Sequence, residues 1–578
     1  MYQPSLSPIA DSLAVSALVA ALPLLTLFLL LGGLRWKAHW AGLASLAVAI
    51  AVAVIGYDMP AGLTLLSASE GAAFGLFPIM WIVLTAIWLY QLTVVSGRFE
   101  DLRRAFGLIS DDPRIQAVII AFCFGGLLEA LAGFGAPVAI TGVMLMALGF
   151  APVRAAITVL VANTAPVAFG AIAIPIITAG NLTKIPYTDI GAYVGRQTPL
   201  IALFVPLLLV ALVDGRRGIR QTWPAALVCG VVFAVAQFVS SNYISVELTD
   251  IIASLAGLAA MVLFLRVWQP QGADQARAAL EADSALDRTG DSGPRTHGGR
   301  PARGAEPSGS AGPAAQSRPA AGGIATAEDR GNGRVVMAFL PYLIVIAVFS
   351  VAKLWTPVKE FLTASDLKIS WPGLDGQVLT AAGKASTTTV YTFPWLSSPG
   401  TLLLLSGLVV AAVYRVSPAS AAREFAATVA KLRWAMLTVA SVLALAYVMN
   451  LSGQTITIGS WIAGAGAAFA FLSPILGWLG TAVTGSDTSA NALFATLQQA
   501  AGSKAGLDPT LLVAANTSGG VVGKMISPQN LTIAATAVGL VGRESVLFRG
   551  AIKWSLLLLL GMCVLVYLQS GLLAWMLP

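Results

Sequence analysis

Charge is what this sequence has least of. Asp, Glu, Lys and Arg make up 11% of its 578 residues, against about 25% in ordinary soluble domains, which excludes a globule solvated by water on all sides. Cysteine is equally sparse. Cys123, Cys229 and Cys563 lie far apart in apolar runs, with no CxxC and no histidine nearby, so neither a disulfide framework nor a metal site is expected. They read as small buried apolar side chains. The two histidines, His39 and His297, fall in polar loops, leaving none for proton relay at membrane depth. No HExxH, GxSxG or DxD pattern occurs, so metal-assisted or nucleophilic catalysis has no visible machinery, and no cofactor is implied. No Lys or Arg precedes Arg35, so the first apolar stretch lacks the basic start of a signal peptide and reads as a retained span.

What is abundant is apolar surface: 57% hydrophobic residues and a mean hydropathy of +0.81. Long uncharged runs make lipid the solvent for most of the chain. The expected fold is an all-α polytopic membrane protein with about 14 to 16 passes, some through broken helices; hydropathy alone counts about 16. The net charge of +7 is spread over short loops, as the positive-inside rule expects, and not gathered on a nucleic-acid-binding face. One such loop carries Arg98, Arg103, Arg104 and Arg114, with Phe99, Leu102, Phe106 and Ile109 on one helical face, the pattern of a short helix lying on the membrane surface. Its bases place it in the cytoplasm and the N-terminus outside, and Arg543, Arg549 and Lys553 before the last span place the C-terminus outside too.

Residues 1–268 form a first membrane half and 335–578 a second. Between them, residues 269–334 are rich in Ala, Gly, Pro and Ser, with eight Arg matched by eight acids. They cannot bury enough surface to offset chain entropy and read as a disordered cytoplasmic linker. Residues 353–398 hold Trp371, Tyr391, Trp395 and a run from Ser386 to Thr389, a small β-rich excursion placed outside.

One stretch departs from plain lipid-facing sequence. Glu129 to Pro137 (Glu-Ala-Leu-Ala-Gly-Phe-Gly-Ala-Pro) and Ala162-Asn163-Thr164-Ala165-Pro166 are followed by Gly170 and Pro175. Backbone broken at membrane depth is tolerated only inside protein or along a cavity, and in carriers such breaks hold substrate and ions. The second half repeats the spacing. Asn163 precedes Gly170 and Pro175 by 7 and 12 residues, and Asn516 precedes Gly523 and Pro528 by the same intervals. Gly133 lies 30 residues before Asn163, and Gly485 31 before Asn516. The loop charges run the two Asn-Thr passes in opposite directions, so an inverted repeat with the site between its halves is expected.

At these residues the chain resembles the L-lactate permease family, bacterial proton symporters for lactate and glycolate. The matching stretches are Leu128 to Pro137, Ala162 to Gly170, Thr484-Gly-Ser-Asp-Thr-Ser-Ala-Asn-Ala492, and Ala515-Asn-Thr-Ser-Gly-Gly through Asn530. With the span layout, the likeness covers most of the chain outside residues 269–334. One departure is Ala130, where the family is expected to carry glycine.

The resemblance implies proton-coupled uptake of a small 2-hydroxy monocarboxylate across the bacterial inner membrane, with sodium coupling or exchange of another organic anion as rivals. A membrane-embedded enzyme or a channel is disfavoured. A monocarboxylate needs a cationic or amide-rich cradle. Lys524 is the expected cation, although a lysine snorkelling from a helix end would look the same in sequence. Half-helix N-termini near Gly133 and Gly485 would supply N–H donors, with Gly135 beside the first, and the hydroxyls of Ser486, Thr488 and Ser489 form a lesser candidate set. Asn163, Thr164, Asn516 and Thr517 either bind substrate or satisfy backbone freed by Pro166, Pro175 and Pro528. Glu129 and Asp487 are the candidate proton-coupling acids, Glu129 being otherwise a surface acid at a hairpin tip. In the empty carrier Asp487 is expected to pair with Lys524.

Overall fold

The computed structural model describes residues 1–34, 36–101, 109–133, 135–290, 332–380, 383–540 and 543–578. Among them, nine helical stretches are long and apolar enough to cross a membrane, and up to eleven if each of two bent pairs is one span. The protein is an integral membrane protein. The last stretch, Glu544–Gln569, shows how sequence sets its faces: Leu556, Leu557, Leu560 and Val564 are exposed, while Leu559, Met562, Cys563 and Val566 are buried. Residues three and four apart share a face, so one side meets lipid and the other protein.

The stretches are fewer than the hydropathy count of about 16 because long ones contain breaks. Thr198–Ile244 runs for 47 residues, about 70 Å if straight, more than twice the hydrocarbon thickness. It leaves helical geometry at Asp214 and Gly215, where Gly215 takes φ +59° and ψ −144°, a conformation open essentially to glycine alone. Ala61–Val95 is likewise interrupted at Phe77 (φ −138°, ψ 125°). The polar segment from Asp58 to Glu70 is mostly the helix Ala61–Phe74. Its polar residues depress local hydropathy, but Gly71 brings the helix against the backbone of Leu443 and Ala444, and Glu70 is fully buried.

Eight helices build the centre: α1 Gly125–Ala132, α2 Ala136–Ala147, α3 Pro152–Ala162, α4 Gly170–Thr183, α5 Phe469–Thr484, α6 Asp487–Ala505, α7 Pro509–Gly523 and α8 Pro528–Ala537. The same order occurs twice: a helix ending at a positive-φ glycine, a second helix, a third, a short 3-10 turn and a fourth. The 3-10 turns are Val167–Phe169 and Lys524–Ile526. Ala130 sits inside α1, buried, one turn short of the break at Gly133, so the methyl in place of the expected hydrogen falls on regular helix.

Several expectations from sequence are corrected. His39 is not in a loop but buried in the helix Ala38–Ala51, stacked 4.5 Å from the Trp434 ring; His297 lies outside the described residues. The three cysteines, by contrast, are buried as expected, and Cys123 and Cys229, distant in sequence, meet at 3.5 Å between sulfurs. The start of the expected linker is a helix, Ala273–Gly290. Ala276 and Leu280 are buried, and Arg277 donates to the Asp111 carbonyl at 2.8 Å, contacts that composition does not reveal. Residues 291–331 of the linker and 102–108 of the expected surface helix lie outside the described residues. The 353–398 segment contains two short antiparallel strands, β1 Leu367–Ser370 and β2 Val390–Phe393. It rests on the Ala61–Val95 stretch through Trp371 Nε1 to Ser69 Oγ (3.0 Å) and Tyr391 OH to the Phe77 carbonyl (2.6 Å).

Arg114, expected in a loop, is a fully buried staple. Its side chain donates to both Asp112 oxygens (3.0 and 2.6 Å), Asp214 (3.1 Å), Gln221 (2.6 Å) and the Gln271 carbonyl (2.8 Å). It thereby joins the entry to the central hairpin, the Asp214–Gly215 break and the chain after Val267. Arg114→Ala is expected to destabilise by about 3–5 kcal/mol, since it strands the buried Asp112 carboxylate, while Asp214 keeps Arg217. Arg114→Lys should recover little, lacking the planar fork. Thermal unfolding of the detergent-solubilised protein checks both.

Candidate functional site

Four interruptions of helix converge at the centre. Gly133 ends α1 with φ +38°, and Gly135 opens α2 with φ +86°. After Pro166 the chain makes a 3-10 turn and enters α4 through Ala171, Ile172 and Ala173, all with φ between 46° and 59°. Left-handed geometry costs a residue with a Cβ about 1–2 kcal/mol, so three in succession mark a backbone held by its surroundings. Gly485 closes α5 with φ +78°, and Ser486 caps α6, accepting from the Ser489 amide. Lys524 follows α7 at the 3-10 turn.

A cavity of about 30 Å³ lies among Glu129, Gly133, Gly170, Ser486, Asp487 and Lys524, room for two or three waters at about 10–15 Å³ each. Across it Lys524 Nζ donates to Glu129 Oε1 at 2.6 Å, and both side chains are buried. The lysine lies at the C-terminal end of α7, where the helix dipole favours a cation. Its backbone is fixed by Ser527 Oγ and Asn530 Nδ2, which donate to its carbonyl at 3.0 and 2.9 Å. Glu129 lies against Gly170; a Cβ there would come 2.9 Å from Oε1.

Asp487 occupies the first turn of α6, where N–H groups favour an anion. It is buried and accepts from Thr481 Oγ1 at 3.4 Å. A Cβ on Gly520 of α7 would lie 2.0 Å from its Oδ1, so the acid fits only because that residue is glycine. The expected Asp487–Lys524 pair is not formed; Lys524 takes Glu129 from the other half of the chain. Glu129 is not a surface acid, and Lys524 does not snorkel to water.

The amide and hydroxyl candidates divide. Asn163 and Thr164 border a narrow cleft on another side of Lys524, with Asn530; Thr164 Oγ1 donates to the Val161 carbonyl at 2.7 Å. Asn516 and Thr517 do not line the cavity. They bond Asn491 at 2.9 and 3.1 Å, Gln498 reaches Asn516 at 3.3 Å, and Asn491 donates to the Pro175 carbonyl at 3.1 Å. This network ties α6, α7 and α4 together, with Asn491 and not Asn516 or Thr517 meeting the Pro175 carbonyl. Gly135 packs against Ile533 and Asn530 and shapes the break away from the cavity.

Two buried acids were not found from sequence. Asp250, in the first turn of the helix Thr249–Val267, accepts from Gln237 Nε2 at 3.5 Å, and Gln237 also reaches the Ala165 carbonyl at 3.2 Å. Among the described residues, neither oxygen of Glu70 and only one of Asp250 has a hydrogen-bond partner. An acid near the edge of an apolar run was the available signal in both cases. Among the described residues no cluster of His, Cys, Asp or Glu could hold a metal ion.

The family model for L-lactate permease matches residues 16–573. The L-lactate permease of Bacillus subtilis (strain 168) is 42% identical over 590 residues, covering 99% of each chain. The glycolate permease GlcA of Escherichia coli (strain K12) is 41% identical over 584 residues, covering 99% of this chain and 97% of its own. The L-lactate permease of the same strain is 40% identical over 592 residues, the whole of both chains. Among solved structures, the Alcanivorax borkumensis YdaH transporter matches with TM-score 0.41 and 14% identity over 88% of each chain, too slight a likeness to carry an argument.

The ion pair makes a stability prediction. Lys524→Met leaves Glu129 buried without its partner and should cost about 3–5 kcal/mol, whereas Glu129→Gln/Lys524→Met should regain most of it, because removing both charges of a buried pair is often neutral. Thermal midpoints of the two single variants and the double variant test this; a double variant less stable than either single one would contradict it.

Proposed function

The chain belongs to the L-lactate permease family, and from that premise we propose that it carries lactate- and glycolate-type 2-hydroxy monocarboxylates across the bacterial inner membrane, each with a proton. Membership of a permease family sets aside the membrane-enzyme reading. The observation that carries the proposal is the buried Lys524–Glu129 pair facing a cavity bounded by helix breaks.

In the empty carrier Glu129 neutralises Lys524. An arriving carboxylate competes for the same ammonium, and protonation of Glu129 frees the lysine to take it. Proton and substrate then favour each other's binding by the same factor. The exchange also preserves charge: Lys⁺ with Glu⁻ becomes Lys⁺ with substrate⁻ and a neutral acid. Neither the empty nor the loaded carrier exposes a new unpaired charge to low dielectric when it turns. Asp487 serves as the second acid beside the α6 amides, with Ser486 and Thr488 as hydroxyl partners for the substrate. We read the two halves as an inverted repeat rocking about this site, with both termini outside and residues 269–334 in the cytoplasm.

Uptake of radiolabelled lactate or glycolate into proteoliposomes is expected to follow an inward proton gradient and to be indifferent to sodium. Loss of uptake on removing sodium, with none on collapsing the proton gradient, would overturn the coupling. Glu129→Gln should abolish accumulation and flatten the pH dependence of substrate affinity while sparing exchange, because the amide mimics the protonated acid. Full accumulation by this variant would move the proton to Asp487.

Gly520→Ala should reduce uptake at least tenfold at equal expression, since its methyl collides with Asp487. Gly561→Ala, whose Cβ meets nothing within 4 Å, should leave uptake unchanged.

A further inference from the structure

Far larger than the central cavity is a pocket of about 650 Å³ bordered by Arg216, Arg217, Arg220, Trp223, Trp268 and Gln271. We propose that it binds the phosphodiester headgroup of an anionic phospholipid.

The charges in the pocket are unbalanced. Arg217 is held by Asp214, with Nη2 to Oδ1 at 2.8 Å. Among the described residues, neither Arg216 nor Arg220 has a carboxylate within ion-pair distance. Counting the buried staple below, four arginines (Arg114, Arg216, Arg217, Arg220) face two aspartates (Asp112, Asp214), an excess of two positive charges. Two open guanidinium forks match the oxygens of a phosphate, which Arg recognises through paired N–H bonds.

The floor is built. Asp214, Gln221 and the Gln271 carbonyl are all fixed by fully buried Arg114, so the arginines stand on a rigid break and not on a loose loop. The position identifies the ligand as lipid. Trp223 immediately precedes Pro224 within a membrane-crossing stretch, and Trp268 caps the helix Thr249–Val267. Trp223 is half exposed, and indoles at the ends of membrane passes sit at headgroup level. Basic pockets between passes at that level suit anionic headgroups. A lipid placed with its phosphate on Arg216 and Arg220 lays its chains along Val231 and Val235, both exposed further along the same helix.

The test uses the full chain, purified and delipidated in detergent. Phosphatidylglycerol and phosphatidylcholine are titrated in native mass spectrometry and thermal unfolding, with inorganic phosphate as a third arm. Phosphatidylglycerol is expected to bind at least tenfold more tightly than phosphatidylcholine and to raise the unfolding midpoint. Arg216→Gln/Arg220→Gln should lose that preference while retaining uptake in phosphatidylcholine vesicles. Both side chains are exposed, so folding should survive; Arg216→Lys/Arg220→Lys, which keeps charge without the fork, should fall between. Equal binding of the two lipids, or an undiminished preference in the Gln variant, would overturn the proposal. So would inorganic phosphate displacing the lipid at millimolar concentration, which would assign the pocket to a soluble ion. Failure of lactate uptake by the wild type would leave the lipid result untouched, since neither rests on the other.

Discussion

Two charges of opposite sign, placed where neither can meet bulk water, set the terms for the rest of this molecule. Lys524 and Glu129 lie 2.6 Å apart and buried, and removing such groups from water costs several kcal/mol each unless the geometry returns it. The surrounding features serve that geometry. Gly170 leaves space for the carboxylate, Gly133 and Gly485 turn the chain out of helix, and the 3-10 turn presents the lysine at the end of α7. The left-handed turn at Ala171–Ala173 is held in place beside the same pair.

Arg114 and Glu129 show the contrast between a charge bonded on all sides and one held by a single partner. Arg114 makes five side-chain hydrogen bonds to Asp112, Asp214, Gln221 and Gln271. Glu129 has one partner on one oxygen, and among the described residues none on the other. A group satisfied at every donor has nothing to gain by moving. A carboxylate with one bond and one idle oxygen is held at fewer points than the arginine. Both occur on the same continuous run of chain from Pro113 to Leu131, so the many-bonded arginine anchors the stretch that carries the acid.

Much of this was legible in the sequence, and the failures have physical causes. Scarcity of charge identified the solvent as lipid, and Gly and Pro at membrane depth located the breaks, because the bilayer permits few backbone solutions. Glu129, Asp487 and Lys524 were found because ionisable groups are conspicuous in apolar runs. Their pairing was not, since it depends on which faces of α1, α6 and α7 meet. Gly520 contributes by admitting Asp487 against α7. Asn516 and Thr517 share the Asn163–Thr164 spacing yet bond Asn491 across helices, which spacing cannot encode. Arg114 and His39 were misplaced because hydropathy assigns any polar residue near a span end to water. The helix Ala273–Gly290 was hidden by a composition that describes the whole linker and not its first turns.

The separation of the ion pair along the chain, 395 residues, has a consequence for biosynthesis. At about 5–20 residues per second, Glu129 leaves the ribosome roughly 20–80 seconds before Lys524 exists. Throughout that interval the hairpin carrying the acid is without the lysine it pairs with in the finished molecule. The first half therefore cannot finish folding on its own timetable. Its last polar contacts are supplied by the last quarter of the polypeptide, and a chain truncated before that quarter lacks the cation that Glu129 meets in the complete molecule.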